Sequence, residues 1–351
     1  MNLRHSFIFV LAITISFIGL SGVKSLFAQG LPLSATGVEL TQSPESATPG
    51  QTVTITAASY VTDLNSDTIS WTINGVPMKS GIGITSIKVA APALGKTASV
   101  SVNVTTQDGQ QFPNKLDLRS GSVDLIIETD GYTPPLFKGR LPVVYQNNVK
   151  IVAIPHIANS SGVEYLPSNL VYKWSLASGE VLADQSGYGK NFVNLKGSII
   201  PRPYFLTVSV TTLDGIQTIS GSLTVTPQKP EIQFYINDSL YGPLYNTAIG
   251  KIGIGTQKET SVVAVPYGFN KVLNSLGNLV LNWTINDADH SELNSNNVIV
   301  LRVPSGASGT SNVALSTTNK KEILQQANGQ FTVNFADFSS SGNQSKSAIN
   351  F

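Results

Sequence analysis

One short strand is written three times in this chain, and it limits what the chain can fold into. The copies are Ile69-Ser70-Trp71-Thr72-Ile73, Tyr172-Lys173-Trp174-Ser175-Leu176 and Leu281-Asn282-Trp283-Thr284-Ile285. Each reads apolar, polar, Trp, hydroxyl, apolar. That is the alternation of a strand with one buried face, and it puts the Trp on that face. The protein has 3 Trp in all, so every Trp is used in this way. Trp174 follows Trp71 by 103 residues, and Trp283 follows Trp174 by 109.

A second landmark keeps nearly the same period. Ala98-Ser99-Val100-Ser101-Val102-Asn103-Val104 alternates cleanly and runs into Thr105-Thr106-Gln107-Asp108-Gly109. Tyr204-Phe205-Leu206-Thr207-Val208-Ser209-Val210 does the same and runs into Thr211-Thr212-Leu213-Asp214-Gly215, 106 residues later. Two landmarks at one spacing define an internal repeat. A repeat of roughly 100 residues with a core Trp on its third strand has the size and pattern of an immunoglobulin-type β-sandwich. The expected fold class is therefore all-β, with three tandem immunoglobulin-like sandwiches.

The amino terminus reads as a targeting segment. Arg4 and His5 are followed by an apolar run from Phe7 to Leu20, broken by Thr14 and Ser16, and then by Ser21-Gly22 and Ala28-Gln29-Gly30. This is the order of a secretory signal peptide, expected over 1–28 with Ala28 the last residue removed. The run is shorter than the ~20 residues that span a bilayer comfortably. Left uncleaved, it would be the chain's membrane contact. The expected location is extracellular or at the cell surface.

Turn and proline signals then divide the chain. The first unit is expected over 33–128, with Val123 to Ile127 as its closing strand. Thr129-Asp130-Gly131-Tyr132-Thr133-Pro134-Pro135 reads as a semi-rigid linker. The second unit is expected over 136–225, and Thr226-Pro227-Gln228-Lys229-Pro230 is the second linker. The third, over 231–338, is a degenerate copy. Its Asn312 to Thr318 run keeps the double Thr with the apolar phase displaced by one residue, and Asn319-Lys320-Lys321 replaces Asp-Gly. Residues 339–351 are rich in Ser, with Asn, Gly, Gln and one Lys, have no periodicity, and are expected to be a disordered tail.

Charged residues are only 12% of the chain, against about 25% in ordinary soluble proteins. Ser, Thr, Asn and Gln replace them, which suits exposed strands and turns. The net charge of +1 gives no electrostatic case for nucleic acid or an anionic membrane. There is no Cys, so each unit must close a full hydrophobic core without disulfides.

The run Tyr204-x-Leu206-x-Val208-x-Val210, followed by Thr-x-x-Asp214-Gly215 and set against the Trp174-Ser175-Leu176 strand, resembles PKD-like domains. These are a bacterial and archaeal surface branch of the immunoglobulin-like sandwiches. The resemblance covers three units and is strongest in the second. The family's Gly-Asp-Gly after the core strand is replaced by Asn74-Gly75, Ser178-Gly179 and Asn286-Asp287, and general bacterial immunoglobulin-like repeats fit nearly as well. What the resemblance implies is a non-catalytic spacer or adhesive module on an exported protein.

Residues for chemistry are sparse. Of 3 His, His5 lies in the signal segment, while His156 and His290 fall in different units with no His or Cys neighbour. No His-Glu-x-x-His, paired Cys or Gly-x-Ser-x-Gly occurs, so no enzyme activity and no cofactor are expected. Asp63-x-Asn65-x-Asp67 has the oxygen spacing of the start of a Ca²⁺ loop. Thr68 and Asn74 stand where its Gly and Glu belong, which favours an exposed acidic turn. Trp71, Trp174 and Trp283 share their face with apolar neighbours and are expected in the structural core. Tyr132, Tyr241 and Tyr245 are the aromatics left to stack on sugars. The expected function is a structural spacer with an adhesive, protein-binding surface; the alternative is a carbohydrate-binding accessory module of an exported or pilus-type complex. The expected partner is a surface protein or a glycan, not nucleic acid.

Overall fold

Alternating Val, Ile and Thr runs become strands throughout the described residues, because each run can bury one face only against a second sheet. The structure is a computed structural model describing residues 37–135, 137–139, 142–254, 259–270, 278–294, 296–302 and 308–335. The expected signal peptide and tail lie outside these residues. No helix among the described residues is long and apolar enough to cross a membrane.

The first seven strands are β1 (Val38–Ser43), β2 (Thr52–Ser59), β3 (Thr68–Ile73), β4 (Val76–Ile82), β5 (Ser86–Ala90), β6 (Thr97–Thr105) and β7 (Gln111–Arg119). They form two sheets, β1-β2-β5 and β4-β3-β6-β7. Next come β8 (Ser122–Thr129), β9 (Asn148–His156), β10 (Val171–Leu176), β11 (Gly187–Tyr188), β12 (Phe192–Lys196), β13 (Tyr204–Thr211) and β14 (Thr218–Val225). Their sheets are β12-β9-β8 and β11-β10-β13-β14. The last set is β15 (Glu231–Asp238), β16 (Gly242–Pro243), β17 (Lys251–Ile254), β18 (Glu259–Tyr267), β19 (Leu279–Ile285), β20 (Ala288–Asp289), β21 (Val298–Arg302), β22 (Gly309–Asn319) and β23 (Gln326–Phe335). It forms β16-β15-β18-β21 and β17-β23-β22-β19-β20. Each time, the Trp strand lies beside the long alternating strand. β17 is an addition, running parallel to β23 from Lys251↔Thr332 to Ile254↔Phe335.

The chain divides into two compact units. Of the described residues, one holds those up to Thr41 with Thr56–Ser86 and Ser101–Leu116; the other holds Gln42–Ile55, Ile87–Val100 and those from Asp117 on. Within the second, two sandwich cores are distinct. One gathers Ile151 and Ala153 from β9, Tyr172 and Trp174 from β10, Val193 from β12 and Val208 from β13. The other gathers Phe234, Ala264, Leu281, Trp283, Ile299, Leu315 and Phe331.

Three expectations need correction. Val123 to Ile127 does not close the first unit: β8 pairs with β9 along its whole length, from Ser122↔His156 to Thr129↔Val149. Val123, Leu125 and Ile127 pack on the Trp174 core. The first unit closes instead with β7, an edge strand carrying Pro113 that reads poorly as strand for that reason. The second correction concerns the third copy, whose phase does not slip. Leu315 faces Trp283 as Val208 faces Trp174, and Thr317 pairs with Leu281 as Val210 pairs with Tyr172. Thr317 thus takes the inward position of Val210, and the double Thr sits one residue earlier in its strand than Thr211-Thr212 does.

The third correction concerns the linkers. Thr129–Pro135 does not join the first two units. Gly131 bridges Asn270, the Tyr132 amide donates to Phe269 O at 2.6 Å, and the Gly268 amide donates to Tyr132 O at 2.8 Å. The 226–230 segment is also paired, with the Gln228 amide donating to Val143 O and the Tyr145 amide to Gln228 O.

Candidate functional site

The three Trp make the same hydrogen bond. Trp71 Nε1 donates to Ile84 O at 2.8 Å, Trp174 Nε1 to Lys190 O at 2.9 Å and Trp283 Nε1 to Asn296 O at 3.0 Å. Each acceptor lies two residues before β5, β12 or β21, in the sheet that does not contain the Trp. The carbonyl between, of Thr85, Asn191 or Asn297, accepts from the amide of Ala57, Ala153 or Ala264. The rings are at most 1% exposed and their one polar atom is satisfied, so none can stack on a sugar.

Asp63, Asn65 and Asp67 are turned to local tasks. Asp63 Oδ1 accepts from the amide and side-chain nitrogens of Asn65 at 3.1 and 3.2 Å. Asp67 is buried and its carboxylate accepts from the Thr62 hydroxyl. Among the described residues no group of three or more His, Asp or Glu is arranged to hold a metal. The Asp-Gly turns carry their own lock. Thr212 Oγ1 donates to Asp214 Oδ1 at 2.6 Å and accepts from the Gln217 amide at 3.1 Å, and Thr106, Asp108 and Gln110 repeat that pattern. The Thr hydroxyls hold both carboxyls below the usual carboxylate range.

The two His stand among carboxylates. His156 Nε2 is 3.4 Å from Asp124 and its Nδ1 3.4 Å from Glu164, while His290 Nδ1 is 2.7 Å from Glu292. All are partly solvent-exposed pairs, of the kind that contribute little to stability.

Of the three tyrosines left for sugars, only Tyr241 stands clear, 78% exposed at the β15–β16 hairpin. Asp238 caps the amides of Leu240 and Tyr241 there, at 2.8 and 2.9 Å. Tyr132 and Tyr245 pack with Tyr235, Tyr267, Val263 and Val265. The Tyr235 and Tyr267 hydroxyls are 2.7 Å apart, and the Tyr235 and Tyr245 rings meet edge-on at 5.3 Å. Burial pushes the Tyr132, Tyr245 and Tyr267 hydroxyls upward in pKa.

The main polar feature that sequence reasoning missed is a buried amide network. Asn147 Oδ1 accepts from the Val144 amide at 2.7 Å, and its Nδ2 donates to Gly268 O at 3.0 Å and to Asn270 Oδ1. Gln325 Nε2 donates to Tyr145 O and Asn270 Oδ1, and its Oε1 accepts from the Asn270 amide and Asn319 Nδ2. Gln146 adds bonds to Glu322 and the Leu324 amide. The network joins the sandwich of Trp174 to that of Trp283. No local pattern marks it, because Asn and Gln are common on this chain's surface.

A repeated strand order with an indole tie between facing sheets defines an all-β protein of tandem immunoglobulin-like sandwiches. No family model matches the chain, and no curated protein matches it. Similar solved structures include the three N-terminal domains of the highly immunogenic outer capsid protein of bacteriophage RB49, at 13% identity over 85% of this chain and 97% of that one, with a TM-score of 0.26. The central fibronectin-III array of RIM-binding protein matches at 12% identity over 84% and 95%, with a TM-score of 0.28. The SGBP-B protein of the Bacteroides ovatus mixed-linkage glucan utilization locus matches at 12% identity over 85% and 70%, with a TM-score of 0.20.

Proposed function

We propose that this chain is a non-enzymatic, exported bacterial surface protein of three tandem PKD-like domains, serving as a spacer and as an adhesive, protein-binding surface. The observation that carries the reading is that the second and third sandwiches are fixed to one another by buried polar contacts. Asn147 Nδ2 donates to Gly268 O at 3.0 Å and to Asn270 Oδ1. A chain that fastens its repeats in this way holds its loops in set directions, which a contact surface requires. The amino-terminal segment supports export. The test is surface shaving of native cells with protease, followed by a mass measurement of the secreted chain. Recovery of its peptides from intact cells and a chain starting just after Ala28 are expected; retention inside the cell overturns the reading. A carbohydrate-binding role is the second reading, favoured by the hydroxyl- and amide-lined outer face of β3, β6 and β7.

A further inference from the structure

The strands β3, β6 and β7 carry Ser70, Thr72, Ser101, Asn103, Pro113 and Lys115 around a groove of about 470 Å³, a size that suits a small-molecule site. Alternation puts Val100, Val102 and Val104 into the core and leaves Ser101 and Asn103 outside. Asn103 Nδ2 donates to Gln111 Oε1 at a long 3.4 Å. Asn103 Oδ1 is buried and accepts nothing. A buried amide oxygen without a donor is unfavourable, and a bound donor is one explanation of its retention.

The lining selects the kind of donor. β3 and β6 are central strands, flanked by β4 and β7, so the groove floor offers no open backbone to an added peptide strand. The lining holds no aromatic or long aliphatic anchor of the kind protein hot spots use. It offers hydroxyls that both donate and accept, one unmatched acceptor, and the flat Pro113 ring. A sugar ring presents the complementary set: hydroxyls at its rim and C–H groups on its face.

We propose that this groove binds one neutral hexose unit of a glycan. The Asn103 amide, held only by its long bond to Gln111, turns into the groove so that a sugar hydroxyl donates to its Oδ1; the Thr72 and Ser101 hydroxyls bond its neighbours, and Pro113 packs on the C–H face. The inference rests on the carbohydrate-binding reading and gives it a place. The comparable groove of the second sandwich, lined by Lys173, Ser175, Thr207 and Ser209 among others, holds none of the orphaned atoms found among the described residues, which are Asn103 Oδ1, Ser120 Oγ and Thr317 Oγ1.

The test is titration of the whole mature chain with cellohexaose, laminarihexaose, mannohexaose and galactohexaose, followed by calorimetry and by NMR of side-chain amides. Saturable binding of at least one sugar is expected, with movement of the Asn103 amide signals. Ser101→Trp fills the groove from an outward position, and Asn103→Leu removes the acceptor; each is expected to weaken binding about tenfold or more. Ser209→Trp, on the second sandwich, leaves binding unchanged. Absence of binding by all four sugars, or binding that survives Ser101→Trp, overturns the site. In the first case a chain that still attaches to cells leaves the adhesive reading standing. Groove binding by a chain found inside the cell supports the site and removes the exported role.

Discussion

Trp174 donates its indole N–H to the backbone carbonyl of Lys190 at 2.9 Å, and so ties β10 to the approach of β12 in the facing sheet. The ring fills the core while the bond sets the register between the two sheets. Trp71 with Ile84 and Trp283 with Asn296 repeat it. Replacing any of the three with Phe keeps most of the ring volume but leaves a buried carbonyl unpaired. We expect a loss of about 1–3 kcal/mol for each Phe variant and about 3–5 kcal/mol for each Ala variant. Urea unfolding followed by circular dichroism reads both. Equal losses for Phe and Ala would mean that the bond rather than the ring supplies the stability.

Gly95 and Gly109 both have positive φ, +75° and +85°, but differ in surroundings. A Cβ at Gly95 would lie 2.0 Å from Asn159 O, while one at Gly109 meets nothing. Gly109→Ala should cost about 1 kcal/mol, the conformational penalty alone. Gly95→Ala should cost more and should also displace Lys96, whose Nζ donates to Ser160 O at 3.1 Å. Thermal melting of the two variants compares them, and matching Tm values would refute the close approach.

Asn147 serves three partners at a position that is 0% exposed. Asn147→Ala leaves these groups without their bonds, and a loss of about 3 kcal/mol or more is expected. Limited proteolysis gives a more specific readout. In the native chain, cleavage at 129–135 and 226–230 should be slow, because both segments are hydrogen-bonded. In Asn147→Ala, cleavage at 129–135 should become fast. Rapid cutting there in the unaltered protein would contradict the joint.

Burial raises the phenol pKa of Tyr172 and Tyr204 to about 12, against about 10 when unfolded. The neutral form is therefore favoured by folding. Its contribution is complete below pH ~10 and is lost as pH rises toward ~12. Ultraviolet titration of tyrosinate should show a late-ionising fraction that vanishes in denaturant. Ionisation of all tyrosines near pH ~10 in the folded protein would disprove it.

At the acid end the sign reverses. The carboxyls of Asp108 and Asp214 lie below their ordinary range, chiefly through the Thr106 and Thr212 hydroxyls. Their contribution is present above pH ~4 and falls away as pH drops through the folded values. Thr212→Val should return the Asp214 pKa toward its ordinary value, as followed by carboxyl NMR. An unmoved pKa would show that the hydroxyl bond is not its cause.

Strand identity was legible wherever burial imposes alternation, because the pattern is a local consequence of one face meeting a core. That is why the Trp strands and the runs of Val100 and Val208 could be found from residue order alone. Which sheet a strand joins is not local. Val123 to Ile127 alternates in the same way beside β7 or beside β9, and only the Trp174 core, already closed on its other sides, accepts it. Gln111 to Arg119 shows the opposite case, where Pro113 and Lys115 hide an edge strand that has one neighbour to satisfy. Thr317 took its inward place because its register to Leu281 outweighs its own polarity. Asn147, Asn270 and Gln325 have no sequence signature at all. Their chemistry is that of ordinary surface amides until segments far apart in the chain bury them together, and a buried amide must then find its partners there.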